Sequence, residues 1–246
     1  MDSGYYAACT ALVARTQALD TVANNIANAS TVGFRSERNI FSSVLADAGD
    51  ANTSPISPVI NSYGILSGTM VDTTQGAFEK TGNDLDLGIE GKGYFAVQTA
   101  NGTMYTRDGA FEVSSKGQMV TSAGDAVLGD KGPILLPPGK IVISTDGTMS
   151  SDGAVVGKVK LVEFRAGTEL SNAGNSLYAA PADAKPVVAS ESSIRQGSLE
   201  SSNVNAVSSM IQLVEAQRNA EMMQRALSMF NSEIDKTASQ DLPKVG

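Results

Sequence analysis

The sequence predicts an α+β protein. Long N- and C-terminal helices are expected to form a paired coiled-coil-like domain, with a mostly antiparallel β middle domain between them. Apolar residues recur every seven positions at each end: Tyr5, Leu12, Leu19 and Ile26, then Leu213, Ala220, Leu227 and Ile234. Such a repeat produces a narrow apolar stripe on a helix, which another helix must cover. No third helix of that length is predicted, so the two ends are expected to pair with each other and with neighbouring copies.

Residues 1–34 are predicted to form the N-terminal helix and its exit. No proline interrupts this segment, and no glycine follows Gly4 until Gly33. Gly33 is expected to cap the helix in the left-handed conformation. Residues 35–75 are rich in Ser, Asp, Asn, Thr and Pro, and they predict an irregular connector with one short helix at 40–45.

Residues 76–199 predict the β-rich domain, because short apolar runs alternate with turn residues. Asp-Gly pairs at 108–109, 146–147 and 152–153 indicate hairpins or turns. The predicted strands span 94–98, 118–121, 140–144 and 158–164. Residues 200–246 predict the C-terminal helix that pairs with 1–34. Its apolar residues fall on two neighbouring rows, which favours more than one helical neighbour.

Composition excludes several classes of function. The net charge of -8 and the pI near 4.6 argue against nucleic acid and against anionic membrane surfaces. No window reaches the ~18 apolar residues of a membrane span, so no direct membrane insertion is expected. The chain has no histidine, the commonest general base and metal ligand, and neither a cofactor nor a metal is expected. Cys9 is interpreted as a small core residue.

Two local patterns suggest chemistry, but their context argues against it. Residues 88–93 are rich in glycine, yet a strand-like run follows them, whereas a phosphate-binding loop precedes a helix. Asp84 and Asp86 alternate with Leu85 and Leu87, which predicts a strand whose acidic positions face water. No Ser-His arrangement is available. We therefore expect neither an active site nor a small-molecule substrate.

Three ordered stretches resemble one protein family. ANNIANASTVGFRSER (23–38) is similar to the N-terminal signature of the flagellar rod and hook axial proteins, Asn-Asn-(Leu/Ile)-Ala-Asn followed by Thr-x-Gly-(Phe/Tyr)-(Arg/Lys). LESSNVNAVSSMIQLVEAQRNAEMMQRAL (199–227) resembles the matching C-terminal signature, with its Glu-x-Ser-Asn-Val-Asn and Gln-Arg elements. DLDLGIEGKGYFAVQ and YTRDGAFEVSSKGQMVTSAGDAVLG resemble the middle domain of the same family.

The resemblance implies a structural subunit of the bacterial flagellar basal-body rod, without enzymatic activity. Such subunits stack helically with copies of themselves and with other rod subunits into the torque-transmitting shaft that crosses the periplasm. Their termini lie in the inner tube and the β-rich domain lies outside. The flagellar type III export apparatus exports them without a cleaved signal. The chain is too short for a typical hook protein. The short connector between Phe41 and Gly76 and the tail at 241–245 favour the proximal-rod member that adjoins the distal rod, and the distal-rod protein is the alternative.

The residues expected to form subunit contacts come from the helical stripes and from the two signatures. They are Leu12, Leu19, Asn24, Asn25, Ile26, Asn28, Thr31, Gly33, Phe34, Asn203, Val204, Asn205, Gln217, Arg218, Leu227, Phe230 and Ile234. An alternative from another class is a secreted peptidoglycan-active enzyme that pairs Asp84 with Asp86 or Glu90. A glycosidase pair would need to lie about 5–10 Å apart across a groove.

Overall fold

A computed structural model describes residues 2–43, 64–165 and 167–241. A helix lies at each end, α1 (Asp2–Ala27) and α2 (Ala206–Asp241), and β-strands occupy the chain between them. The strands are β1 (Glu37–Ser43), β2 (Gly64–Val71), β3 (Phe78–Lys80), β4 (Leu87–Glu90), β5 (Tyr94–Thr99), β6 (Gly102–Thr106), β7 (Phe111–Val113), β8 (Met119–Thr121), β9 (Ala126–Gly129), β10 (Gly132–Pro133), β11 (Ile141–Ile143), β12 (Thr148–Ser151), β13 (Ala154–Lys158), β14 (Leu161–Glu163), β15 (Ser171–Gly174), β16 (Leu177–Ala179), β17 (Val187–Val188), β18 (Ser193–Gln196) and β19 (Ser198–Glu200).

The described residues divide into two compact units, each considered by itself. The first, the helical unit, comprises residues 2–26, 38–43, 64–69 and 206–241. It contains α1, α2 and most of the two-stranded sheet of β1 and β2. The second, the β-rich unit, comprises the described residues of 27–37 and 70–205.

The β-rich unit is built from antiparallel strand pairs. Its largest sheet follows the order β15-β16-β6-β5-β9-β8-β7, with β10 beside β9, and with β14 joining β5 to β17. Smaller sheets are β11-β12-β13, β18-β4 and β19-β3. This confirms the predicted antiparallel middle domain. The predicted strand 158–164 is divided, because β13 ends at Lys158 and β14 begins at Leu161.

Two apolar clusters form the core of the β-rich unit. The larger one includes Leu87, Ile89, Phe95, Val97, Phe111, Met119, Val127, Ile143, Met149, Val159 and Ile194, all nearly inaccessible to solvent. The rings of Phe95 and Phe111 meet edge to face at 5.0 Å between centroids. The smaller cluster contains Tyr94, Tyr105, Val162, Leu170 and Tyr178. Aromatic residues are few in this chain, and the β-rich unit concentrates them in its core.

The predicted coiled-coil pairing of the terminal helices was wrong. The described chain contains these two helices but does not show them paired as a coiled coil. Six large apolar side chains of α2 are 46–70% exposed: Val207, Met210, Ile211, Val214, Met222 and Met229. Apolar residues occupy two rows of α2, and one helix of the same chain cannot cover both.

Two further expectations about local structure were wrong. The short helix predicted at 40–45 is a strand as far as Ser43, because Glu37–Ser43 pairs with Gly64–Val71; its last two residues lie outside the described ranges. Asp86 does not face water but is buried, and it forms a β-bridge with Ala110. Within the described residues, no helix is long and apolar enough to cross a membrane.

Candidate assembly site

The segments that connect the β-rich unit to the two ends of the chain, which we call the exit segments, are hydrogen-bonded to each other in one region. We call this region the junction. It consists of residues 31–36 on the N-terminal side, 200–204 on the C-terminal side, and the intervening segment 72–76. The N–H group of Gly33 donates a hydrogen bond to the Glu200 carbonyl oxygen at 2.7 Å. The segments that lead to the two ends of the chain are therefore bonded to each other inside this unit.

The side chain of Asn203 joins all three segments of the junction. Its Oδ1 accepts a hydrogen bond from the Ser36 N–H at 2.7 Å. Its Nδ2 donates to the carbonyl oxygens of Asp72 at 3.1 Å and Thr74 at 2.9 Å. Its backbone N–H also donates to the Phe34 carbonyl at 3.3 Å. An amide suits this position because it supplies an acceptor and two donors at once.

A buried ion triad lies beneath these hydrogen bonds. Oε1 of Glu200 lies 2.7 Å from Nη2 of Arg35, and Oε2 lies 3.2 Å from Nη1 of Arg107. The Gly76 N–H donates to Oε1 at 2.9 Å, and Nη1 of Arg35 donates to the Thr74 carbonyl. Each of the three ionised residues is 1% exposed. Two cations share one anion, so the triad buries an excess positive charge.

The buried positive charge of Arg107 has more compensating contacts than that of Arg35. It donates to the carbonyl oxygens of Ile89 at 3.1 Å and Gly91 at 2.5 Å, and its guanidinium carbon lies 5.1 Å from the centre of the Tyr94 ring. Burial lowers the pKa of Arg107, the charge of Arg35 lowers it further, and Glu200 opposes both effects. The positive charge of Arg35 therefore acts against that of Arg107.

The β15–β16 hairpin holds the N-terminal segment from another side. The hydroxyl oxygen of Tyr178 accepts a hydrogen bond from the Arg35 N–H at 2.9 Å, and the Ser176 hydroxyl donates to the Val32 carbonyl at 3.4 Å. Burial raises the pKa of Tyr178, which keeps its hydroxyl protonated. Residues 31–36 thus lie between this hairpin and the C-terminal segment.

Gly33 is required at the junction by both its conformation and its surroundings. Its φ is +65°, in the left-handed region that favours glycine. A Cβ atom there would lie 2.2 Å from the Asp108 nitrogen and 2.4 Å from the Arg107 carbonyl carbon. The predicted left-handed conformation is present, but the helix ends at Ala27, so Gly33 is not its cap. The residue instead allows the chain to cross the Arg107–Asp108 backbone.

The predicted contact residues of the first helix differ in exposure. Leu12, Leu19, Ile26 and Asn28 are half-buried, Asn25 is buried and Asn24 is exposed. Just beyond the helix, the Asn28 Oδ1 accepts a hydrogen bond from the Thr31 hydroxyl at 3.2 Å. Thr31 is half-buried, and Gly33 and Phe34 are buried.

The predicted contact residues near and within α2 are more open to solvent. Asn205, Gln217 and Arg218 are exposed, whereas Asn203, Val204 and Leu227 are half-buried. The side chains of Phe230 and Ile234 lie outside the described residues. Gly33, Phe34 and Asn203 make contacts within the chain, and the predicted role of the whole set between subunits stays a prediction.

Sequence reasoning missed the charged residues of the junction. Arg35 is the last residue of the N-terminal signature pattern, and Glu200 is the first residue of the C-terminal pattern. Neither residue was assigned a role. The ion-pair partner of Arg107 is Glu200, which lies 93 residues away in the chain. The available signal was that both residues lie within the family signatures, and a charged residue that becomes buried requires a partner of opposite charge.

The acids considered for catalysis serve structural contacts or lie at the surface. Asp86 is buried, and its Oδ1 accepts a hydrogen bond from Asn83 Nδ2 at 2.9 Å. Glu90 is exposed and forms an ion pair with Arg195 at 3.9 Å, and Asp84 is also exposed. Among the described residues, no group of three His, Cys, Asp or Glu side chains could hold a metal ion.

Comparisons with known proteins identify the family. A model described as flagella basal body rod protein matches residues 6–35, one described as the flagellar hook protein FlgE/F/G D1 domain matches 88–156, and one described as the flagellar basal body rod FlgEFG protein C-terminal matches 195–240. The chain is 34% identical over 250 residues to the flagellar basal-body rod protein FlgF of Caulobacter vibrioides, covering 100% of both chains. The chain belongs to the flagellar basal-body rod protein family.

Other FlgF proteins agree with this assignment. That of Mesorhizobium japonicum is 33% identical, with 96% of this chain and 98% of the relative covered, and that of Escherichia coli K12 is 34% identical, with 93% and 94% covered. The predictions of a structural rod subunit and of the proximal-rod member are confirmed. The subunit belongs to the flagellar basal body, where rod subunits assemble with other rod proteins. Arg35, Arg107 and Glu200 each fall within one of the three matched regions.

Proposed function

We propose that this rod subunit assembles helically through its terminal helices and thereby forms part of a torque-transmitting shaft. The supporting observation is the exposed apolar row of α2 formed by Val207, Met210, Ile211 and Val214. Burying one such side chain contributes about 1.5–3 kcal/mol. A row of this kind on a rod subunit is best explained by contact with neighbouring rod subunits.

The contact surface we propose continues along both helices. It comprises the exposed row of α2 together with the residues predicted above, from Leu12 and Leu19 in α1 to Gln217, Arg218 and Leu227 in α2. Exposed amide and guanidinium groups near the apolar row supply directional hydrogen bonds, which fix the register of one subunit on the next. The apolar side chains supply most of the binding free energy.

We further propose that the flagellar type III apparatus exports the chain without a cleaved signal, and that the shaft crosses the periplasm. The support for the export route is the membership of this chain in the flagellar basal-body rod protein family. We also propose that the chain has no enzymatic activity. Purified protein incubated with peptidoglycan is expected to release no muropeptides, and their release would contradict this part of the proposal.

The assembly proposal is tested by Ile211→Asp in a strain that lacks the native subunit. A charge on the exposed row should abolish incorporation into basal bodies and swimming, because an unpaired ion would be buried at the contact. The midpoint of thermal unfolding of the purified chain should change by no more than about 1–2 °C, because the side chain is exposed in the free subunit.

Val155→Asp is the matched control for this experiment. Val155 is 74% exposed on β13 of the β-rich unit, so the same substitution adds the same charge away from the terminal helices. This variant should be incorporated normally. Normal swimming by Ile211→Asp, or an equal defect in both variants, would contradict assembly through the exposed row of α2.

A further inference from the structure

The buried triad contains two cations, Arg35 and Arg107, and one anion, Glu200. Arg107 and Glu200 already form a neutral pair, and the carbonyl oxygens of Ile89 and Gly91 accept further hydrogen bonds from Arg107. Arg35 adds a second buried cation, and its charge acts to lower the pKa of Arg107. The pair of Arg107 and Glu200 therefore does not require the charge of Arg35.

The contacts of Arg35 instead connect the N-terminal segment to other parts of the junction. Its backbone N–H donates to the Tyr178 hydroxyl at 2.9 Å, and its guanidinium contacts Glu200 at 2.7 Å and donates to the Thr74 carbonyl. That same carbonyl accepts a hydrogen bond from Asn203 at 2.9 Å. Arg35 and Asn203, one from each exit segment, thus share an acceptor on a third segment.

We propose that Arg35 is a positioning residue that makes the attachment of the two exit segments mutually dependent. It couples residues 31–36 to 200–204 through Glu200 and Thr74, and it adds little to the stability of the β-rich unit. Loss of Arg35 then releases both segments together and leaves the sheet intact. Residues 31–36 and 200–204 are thereby held by one shared set of contacts within the β-rich unit.

Amide hydrogen exchange on the full-length, unassembled chain tests this role with the variant Arg35→Met. The N–H groups of Gly33, Ser36 and Asn203 should all exchange about tenfold faster or more, because each is bonded across the junction. The N–H groups of Phe95 and Tyr105, in the central β5–β6 ladder, should exchange at the wild-type rate.

Two further variants sharpen the result. Arg195→Met makes the same substitution in a half-exposed ion pair of the same unit and should leave exchange at the junction unchanged. Arg35→Lys keeps the charge but loses the planar fork that reaches Glu200 and Thr74 together. Its exchange rates should fall between those of the wild type and Arg35→Met.

Several outcomes would overturn the proposal. Faster exchange at Gly33 and Ser36 with unchanged exchange at Asn203 would show that the segments are not coupled. Faster exchange throughout the β5–β6 ladder would show that Arg35 stabilises the whole unit. Unchanged exchange rates at every site would show that Arg35 does not couple the two segments. The measurement uses unassembled chains, so its failure is distinguishable from failure of the proposed assembly.

Discussion

Glu200 is the residue on which the junction depends most, because it is the only anion within the triad. Replacing Glu200 with glutamine keeps the shape and leaves an oxygen acceptor for the Gly76 N–H. It also leaves the cations of Arg35 and Arg107 buried without a counter-ion. We expect Glu200→Gln to lower the free energy of unfolding by about 3–5 kcal/mol, measured by chemical denaturation.

Glu90→Gln is the control for this prediction, since Glu90 belongs to an exposed ion pair. It should change the free energy of unfolding by no more than about 0.5 kcal/mol. A loss for Glu200→Gln as small as that of the control would show that the buried triad does not contribute as its geometry indicates.

Substitution of Gly33 tests whether conformation or close packing limits that position. Both alanine and asparagine should destabilise the chain by about 2–4 kcal/mol, because either Cβ would overlap the Arg107–Asp108 backbone in addition to any strain. Gly82 is the control, with φ +77° and no atom within 4 Å of an added Cβ. At Gly82, asparagine should be less destabilising than alanine, because asparagine tolerates the left-handed conformation. Thermal unfolding of the four variants separates the two causes, and a mild Gly33→Asn would refute the packing requirement.

The carboxyl group of Asp108 is expected to oppose stability at neutral pH. Burial raises its pKa, the Ala110 N–H lowers it by a smaller amount, and nearby Asp86 raises it. A pKa that is higher in the folded state than in the unfolded state means that the folded state binds more protons. The contribution of Asp108 to stability therefore falls as the pH rises from 3.8 through the raised pKa.

Asp108→Asn removes this titration and keeps an oxygen acceptor for the Ala110 N–H. It should raise the midpoint of thermal unfolding at pH 7, and the gain should shrink toward pH 3. Asp84→Asn, at an exposed carboxylate, should show neither effect. A gain for Asp108→Asn that is independent of pH would rule out the linkage.

At the scale of elements, local periodicity predicted the helices but not what covers them. The apolar rows of α1 and α2 follow the geometry of a single helix, so sequence alone is sufficient to detect them. The partner of a row is not a local property, because it can belong to another molecule. The strand at Glu37–Ser43 was missed for a related reason: its pairing with Gly64–Val71 is distant in sequence and overrides weak local preference.

The exposed row of α2 should also govern self-association of the purified chain. Replacing Val207, Met210, Ile211 and Val214 together with glutamine should leave helix content unchanged by circular dichroism, because glutamine favours helices. Sedimentation should show less self-association than the wild type. Glutamine at Val187 and Val188, which are exposed on β17, is the control, and an equal reduction there would indicate nonspecific apolar contact.

At the scale of the whole molecule, the family signatures include residues of the junction, but they did not predict the contacts that these residues make within the chain. Gly33 was singled out for its left-handed conformation, and Asn203 was taken from the C-terminal signature as a subunit contact. The triad of Arg35, Arg107 and Glu200 joins positions far apart in sequence, and no spacing rule brings such residues together. Pairing across these distances follows only from the folded sheet.

Fragments of the chain provide a prediction at this scale. The boundaries predicted from sequence, 76–199, exclude Arg35 and Glu200 and leave Arg107 buried without its partner. A fragment of residues 27–205 retains the entire triad. We expect both fragments to unfold cooperatively, with 76–199 less stable by about 2 kcal/mol or more in chemical denaturation. Equal stability would show that the exit segments contribute nothing to this unit.

Cysteine accessibility in free and assembled subunits tests the proposed assembly most directly. In a Cys9→Ala background, which removes the only native cysteine, Ile211→Cys and Val155→Cys should both react rapidly with a maleimide in the free chain, because both positions are exposed. In purified basal bodies, the cysteine at 211 should be protected and that at 155 should stay reactive. Equal reactivity of the cysteine at 211 in free chains and basal bodies would contradict assembly through the terminal helices.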